Sequence, residues 1–168
     1  MRVYIPATLV MLRQFVADGS LWPVNGTAFA VTPALREAYA EGDDDELGEV
    51  ALREAALASL RLLAGDSTAE LPPRRTVLLA DINNPDHVSL RPDLDDAVVR
   101  LAGPVVMDDV VAAFVDNAAA EPDVTAAIAV VDAADLGDED AELTVGDAQD
   151  HDLAWYATQE LPFLLDLL

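Results

Sequence analysis

The chain has 168 residues and sets 9 basic side chains against 32 acidic ones, a formal net charge of −23. The acids are 22 Asp and 10 Glu, and every basic residue is Arg, because Lys is absent. This balance excludes nucleic-acid binding through a basic footprint and a polybasic membrane anchor. The absence of Cys excludes disulfides, thiolate metal sites and thiol nucleophiles.

With 52% hydrophobic residues, including 30 Ala, 24 Leu and 19 Val, the chain is too apolar for a disordered acidic tail. Its length suits one domain able to bury about 70% of its unfolded surface, so residues 1–168 are expected to form a single acidic domain. The longest apolar runs, such as Val110 to Val115, fall far short of the roughly 20 residues that cross a bilayer. Pro6 and Arg13 interrupt the amino-terminal apolar stretch, so no signal peptide is read and a cytoplasmic location is expected.

In chain order, Arg2 to Ile5 reads as a strand ended by Pro6, and Thr8 as the N-cap of a helix closed by Gly19. Gly26 to Val31 is a short apolar segment, and Thr32-Pro33 places a capping hydroxyl before a proline suited to the first helical turn. Asp43 to Glu46 has the pattern of a capping box and opens the longest helix, to Leu63, with Gly65 stopping it. The polar run Asp66 to Pro73 reads as a surface connection. Thr76 to Ile82 is an apolar strand, broken at Asn83-Asn84-Pro85 into a loop lasting to about Pro92, and Ala97 to Leu101 is a further strand. Asp108 and Asp109 cap an expected helix through Val110, Val111, Phe114, Val115 and Ala118, followed by a strand over Ala126 to Val131. Residues 132–152 hold nine acids with little periodicity and read as an acidic loop or a loose helix. Leu153 to Ala157 is a strand, and Leu161 to Leu168 an apolar terminal segment that must be buried by its own sheet, a second copy or a partner. This interleaving favours an α+β fold, a two-layer sandwich of ferredoxin-like character with an inserted helical pair; a three-layer α/β sheet is the alternative.

The acidic clusters are the most conspicuous chemistry. Asp132, Asp135, Asp138, Asp140 and Glu142 do not fit the calcium-loop template of alternating early oxygen ligands, a central Gly and a closing Glu, so no metal site is expected. A field of this sign steers cationic partners. The residues expected to meet such a partner are Asp43, Asp44, Asp45, Glu46 and Glu49 in one cluster, and Asp135, Asp138, Glu139, Asp140 and Glu142 in the other. Solubility is the competing account: acid-rich, lysine-free chains arise in halophilic proteomes, where the acids serve solvation, and in high-GC genomes, whose codon bias explains the Arg-only basic set and the Ala count but not by itself so many acids.

The histidines are His87, in the loop after a strand end where ligands often bind, and His151, whose flanking Asp150 and Asp152 favour its protonated form. No phosphate loop, dinucleotide fingerprint or serine elbow is present, and no cofactor is expected. If the protein is an enzyme or binds a small ligand, the pocket is expected around Asp81, Asn83, Asn84, His87 and Arg91.

The segments Met1-Arg2-Val3-Tyr4-Ile5-Pro6-Ala7-Thr8, Thr32-Pro33-Ala34-Leu35-Arg36-Glu37 and His151-Asp152-Leu153-Ala154-Trp155-Tyr156 resemble an uncharacterised, alanine-rich acidic family of actinobacterial cytosolic proteins. The resemblance runs the full length and implies a stand-alone protein of a high-GC bacterium, with no catalytic or binding residue to carry over. The leading expectation is a non-enzymatic interaction or regulatory protein that binds a cationic protein partner through its acidic surfaces. The rivals are a small enzyme or ligand-binding protein using residues 81–91, and a nucleic-acid mimic. A homodimer through the apolar C-terminal segment is also expected as a contact.

Overall fold

Side-chain alternation in the first strand sets the architecture. β1 (Arg2–Ala7) turns Val3 and Ile5 to one side and Tyr4 to the other, and both sides are covered. The computed structural model describes residues 1–66 and 70–168. Among them, seven strands form one sheet in the order β5 (Val88–Leu90), β6 (Val98–Leu101), β3 (Thr27–Phe29), β1, β4 (Thr76–Asp81), β8 (Val110–Val115) and β9 (Ala154–Ala157), every neighbour antiparallel. A two-stranded ribbon pairs β2 (Ser20–Leu21) with β7 (Val105–Val106).

The Val3 side packs on α1 (Leu9–Asp18) through Leu9, Leu12 and Phe15, and on α7 (Leu161–Asp166) through Leu161 and Leu164. The Tyr4 side lies under α3 (Asp44–Gly65), whose Ala51, Ala55 and Ala56 allow close approach to Val77 of β4. Further along α3, Leu57, Leu60 and Leu63 turn to α4 (Glu121–Ile128), α5 (Val131–Asp135) and α6 (Glu139–Gln149), meeting Val124, Val131 and Val145. Most of the circumference of α3 is thereby used.

The α+β class read from the sequence is the class found. A ferredoxin-like sandwich keeps its helices on one face, whereas here α1 and α3 cover opposite faces. The all-antiparallel pairing leaves no parallel sheet for the α/β alternative. No helix among the described residues is long and apolar enough to cross a membrane.

The expected caps form. The Thr8 hydroxyl accepts from the Met11 N–H and Gly19 takes the left-handed conformation, φ 79°, that closes α1. Thr32 accepts from the Leu35 N–H to open α2 (Pro33–Ala38), and Asp43 accepts from the Glu46 N–H to open α3.

Several elements differ from expectation. Pro6 does not end β1, which stays in register with β4 through Pro6↔Val77 and Ala7↔Thr76. Val110 to Val115 is a central strand, not a helix; Asp108 and Asp109 sit in a 3-10 turn before it. Strands on both sides bury this run, so it shows neither period. Ala126 to Val131 is not a strand: Ala126 to Ile128 end α4, Ala129 and Val130 form a turn, and Val131 opens α5, because alanine's helix propensity meets a helical neighbour in α3. The acidic stretch 132–152 is folded into α5 and α6, and the loop after Asn83 contains β5. Within the polar run 66–73, residues 67–69 lie outside the described residues.

Candidate functional site

The arginines are all committed inside the fold. Seven form ion pairs, with Asp81 (Arg2), Glu70 (Arg13), Asp44 (Arg36), Asp135 (Arg61), Glu121 (Arg74), Asp116 (Arg75) and Asp93 (Arg91). The other two donate to main-chain carbonyls, Arg53 to Gln149 and Arg100 to Asn25. Among the described residues most of the carboxylates face solvent and form no ion pair with an arginine.

Of the ten acids expected to meet a partner, Asp43 to Glu49 lie in the opening turns of α3, Asp138 to Glu142 at the start of α6, and Asp135 is the last residue of α5. Asp43 caps α3, Asp44 pairs with Arg36, and Asp45, Glu46 and Glu49 are exposed and unpaired among the described residues. Asp135 pairs with both ends of the Arg61 fork, Asp138 caps α6, and Glu139, Asp140 and Glu142 lie exposed in the first turn of α6. Negative charge at the starts of α3 and α6 also stabilises the positive end of each of those helix dipoles. Hydrogen bonds from Arg2, Arg36 and Arg61 hold the Asp81, Asp44 and Asp135 carboxyls below the ordinary range, so these stay ionised.

Beside the first cluster runs a groove. Its first part, about 640 Å³, is lined by Arg2, Tyr4, Val31, Arg36, Asp45 and Glu49 among others; its second, about 520 Å³, by Glu46, Arg53, Arg75, Gln149, Asp152 and Leu153 among others. The two parts share Glu49, Leu52 and Phe114. The groove forms because α3 covers β1 and β4 but leaves the same face of β8 and β9 less covered. Phe114 and Trp155 sit opposite each other across those strands, and Trp155 is 56% exposed. Gly48 gives Tyr4 its room on α3, since a Cβ there would lie 2.9 Å from the Tyr4 hydroxyl. Burial pushes the Tyr4 phenol up, keeping it a neutral hydroxyl, and it makes no hydrogen bond to the described residues.

The inner end of the groove rests on a buried polar network. Asp116 accepts two bonds from the Arg75 side chain, while Arg75 also donates to the Gln149 side chain at 2.8 Å and to the His151 carbonyl at 2.9 Å. Gln149 in turn donates to the Arg53 carbonyl, and the His151 ring lies 2.7 Å from Asp123. His151 is therefore tied to α4 and the network, not placed in the groove.

Of the residues expected around a small-ligand pocket, Asn83, Asn84 and His87 line one cleft of about 300 Å³ with Gly103, Pro104 and Asp109. Asn84 Nδ2 is 3.4 Å from His87 Nε2. Asp81 and Arg91 are drawn away, to Arg2 and Asp93. Among the described residues no group of three His, Asp or Glu side chains is placed to hold a metal ion.

No local sequence pattern marks Tyr4, Phe114, Leu153 and Trp155 as site residues. They are far apart in the chain, and only pairing across β1, β4, β8 and β9 assembles them. No curated protein and no solved structure matches the chain. A family model does, over residues 1–165, and the chain belongs to that family, DUF6912, a family of unknown function.

Proposed function

We propose that this chain is an interaction protein that binds a cationic protein partner through its acidic surface and catalyses no reaction. One observation carries the reading: every arginine is spent on an internal carboxylate or carbonyl, and apart from Asp44 and Asp135, held by Arg36 and Arg61, the exposed acids of α3, α5 and α6 make no ion pair among the described residues, so a cation for them must come from outside. Such a field raises association rates with cationic surfaces and weakens as salt screens it. The test is capture from lysate with the tagged chain after nuclease treatment. The expected result is a basic protein held at about 50 mM salt and released at about 500 mM. Retention of the same proteins at both salts overturns the reading. Release by duplex DNA competing for the same protein would favour mimicry of nucleic acid.

A small polar ligand in the Asn83, Asn84 and His87 cleft is the second reading, supported by those three side chains sharing one depression. Ring-proton shifts of His87 on addition of a metabolite panel test it; no shift across the panel removes it. For self-association, α7 buries Leu161 and Leu164 but leaves Phe163 and Leu167 at 72% and 85% exposure. Sedimentation velocity with Phe163→Ser and Leu167→Ser reads whether a dimer depends on them.

A further inference from the structure

We infer that the groove between α3 and strands β1, β4, β8 and β9 seats an extended, cationic stretch of a partner protein, with one Arg or Lys side chain over the Phe114 and Trp155 rings. The inference rests on the acidic-interaction reading and names where and how the partner is held. Three observations point the same way.

Length is the first. The α3 wall runs from Asp44 to Ala56, which at 1.5 Å per residue is about 18 Å, the span of about five extended residues. The floor is the second. Tyr4, Leu52 and Phe114 line it, and Trp155 stands exposed beside Phe114 on the same sheet face. Ring faces of this kind attract a guanidinium or ammonium group. Charge is the third. The groove's Arg2, Arg36 and Arg75 are each held by a carboxylate. Asp45, Glu46, Glu49 and Asp152 make no ion pair among the described residues, so the free charge along the groove is acidic, with Arg53 the cation that opposes it. A second copy of this chain, itself at −23, is the wrong charge to fill it. The neutral Tyr4 hydroxyl, unbonded within the fold, is placed to meet a main-chain carbonyl of the incoming segment.

The probe is an acetylated, amidated octapeptide alternating Arg and Leu, with its Glu-for-Arg counterpart as control, titrated into the full chain labelled with ¹⁵N. Three proteins are compared: the natural chain, the groove variant Asp45→Asn/Glu49→Gln/Asp152→Asn, and the α6 variant Glu139→Gln/Asp140→Asn/Glu142→Gln. The two variants lose the same charge. The expected result is shifts of Tyr4, Phe114 and Trp155 signals by the Arg peptide alone, about tenfold weaker binding in the groove variant, and less than twofold change in the α6 variant. A Trp155→Ala chain should weaken binding similarly with the charge intact. Equal weakening by both triple variants, or shifts confined to α5 and α6, overturns the groove while leaving the acidic-interaction reading in place. No shift with either peptide up to about 1 mM overturns the groove as a cation site. Equal binding of the Arg and Glu peptides sinks both readings.

Discussion

Arg75 and Asp116 form a two-pronged pair sealed from solvent, Nη2 to Oδ1 at 2.7 Å and Nε to Oδ2 at 2.9 Å, with side chains 1% and 0% exposed. The Arg75 main-chain N–H donates to the same carboxylate at 2.8 Å, so Asp116 joins the start of β4 to the end of β8 by side chain and backbone together. Removing one member leaves the other charge buried and alone, the costly way to break such a pair. Asp116→Ala is expected to lose about 3–5 kcal/mol, a large share of the roughly 5–15 kcal/mol that holds a domain. Urea denaturation followed by circular dichroism measures it. A loss under about 1 kcal/mol would mean that solvent reaches the pair.

The contact of Gly48 with Tyr4 predicts a coupling. Glycine inside a helix costs about 1 kcal/mol against alanine, yet a Cβ at residue 48 would press on the Tyr4 hydroxyl at 2.9 Å. Gly48→Ala alone is expected to gain little. Gly48→Ala in a Tyr4→Phe background removes the obstruction and should recover the full gain of about 1 kcal/mol. A double-mutant cycle reads the difference; additive effects would show that the hydroxyl moves aside freely.

Much of the frame is legible in the residues. Thr8, Thr32 and Asp43 announce three helix starts because capping is a local interaction, complete within four residues. Val110 to Val115 and Ala126 to Val131 are exchanged in type because each is apolar throughout, and what decides them is far away in sequence: β4 and β9 for one, α3 for the other. The site follows the same rule. Asn83, Asn84 and His87 share a cleft through a local turn, whereas Asp81 is claimed by Arg2, 79 positions distant, which no local pattern records. Arg75 and Asp116 do carry a local signal, since each stands at the end of an apolar run, where a charge must find its partner inside.

The carboxyls predict a stability maximum on the acid side of neutrality. Hydrogen bonds from Arg2 and Arg61 hold Asp81 and Asp135 below their ordinary 3.8, so their contribution persists above that value and is lost as pH falls through the depressed ones. Burial, helped by Asp95, pushes Glu54 above its ordinary 4.5; its ionised form costs the fold at neutral pH, and that cost is relieved as pH falls through the raised value. Thermal unfolding from about pH 3 to 8 should peak between about pH 3.8 and 4.5, above the ordinary aspartate value and below the ordinary value of Glu54, and decline toward neutrality. Glu54→Gln is expected to raise stability at pH 7, by less than about 1 kcal/mol given its partial exposure, and to leave it unchanged at pH 4. An equal gain at both would assign the effect to packing rather than ionisation.

Salt decides whether the surface pairs or the net charge dominates the fold. Arg2–Asp81, Arg13–Glu70, Arg36–Asp44, Arg61–Asp135 and Arg91–Asp93 are all solvent-exposed, and such pairs contribute little even before screening. Against them stands the mutual repulsion of a chain at −23, which reaches about 30 Å at 0.01 M salt and about 3 Å at 1 M. The repulsion involves many more charges than the pairs do, so screening should help the folded state more than it harms it. Raising sodium chloride from about 0.01 to 0.5 M is expected to lift the Tm by roughly 3–6 °C, equivalent to about 1–2 kcal/mol. The Glu139→Gln/Asp140→Asn/Glu142→Gln chain should start higher and rise less, because part of its repulsion is already gone. A Tm that falls with salt would instead make the five exposed pairs the stronger force, and would leave the acids of α3 and α6 already compensated within the fold.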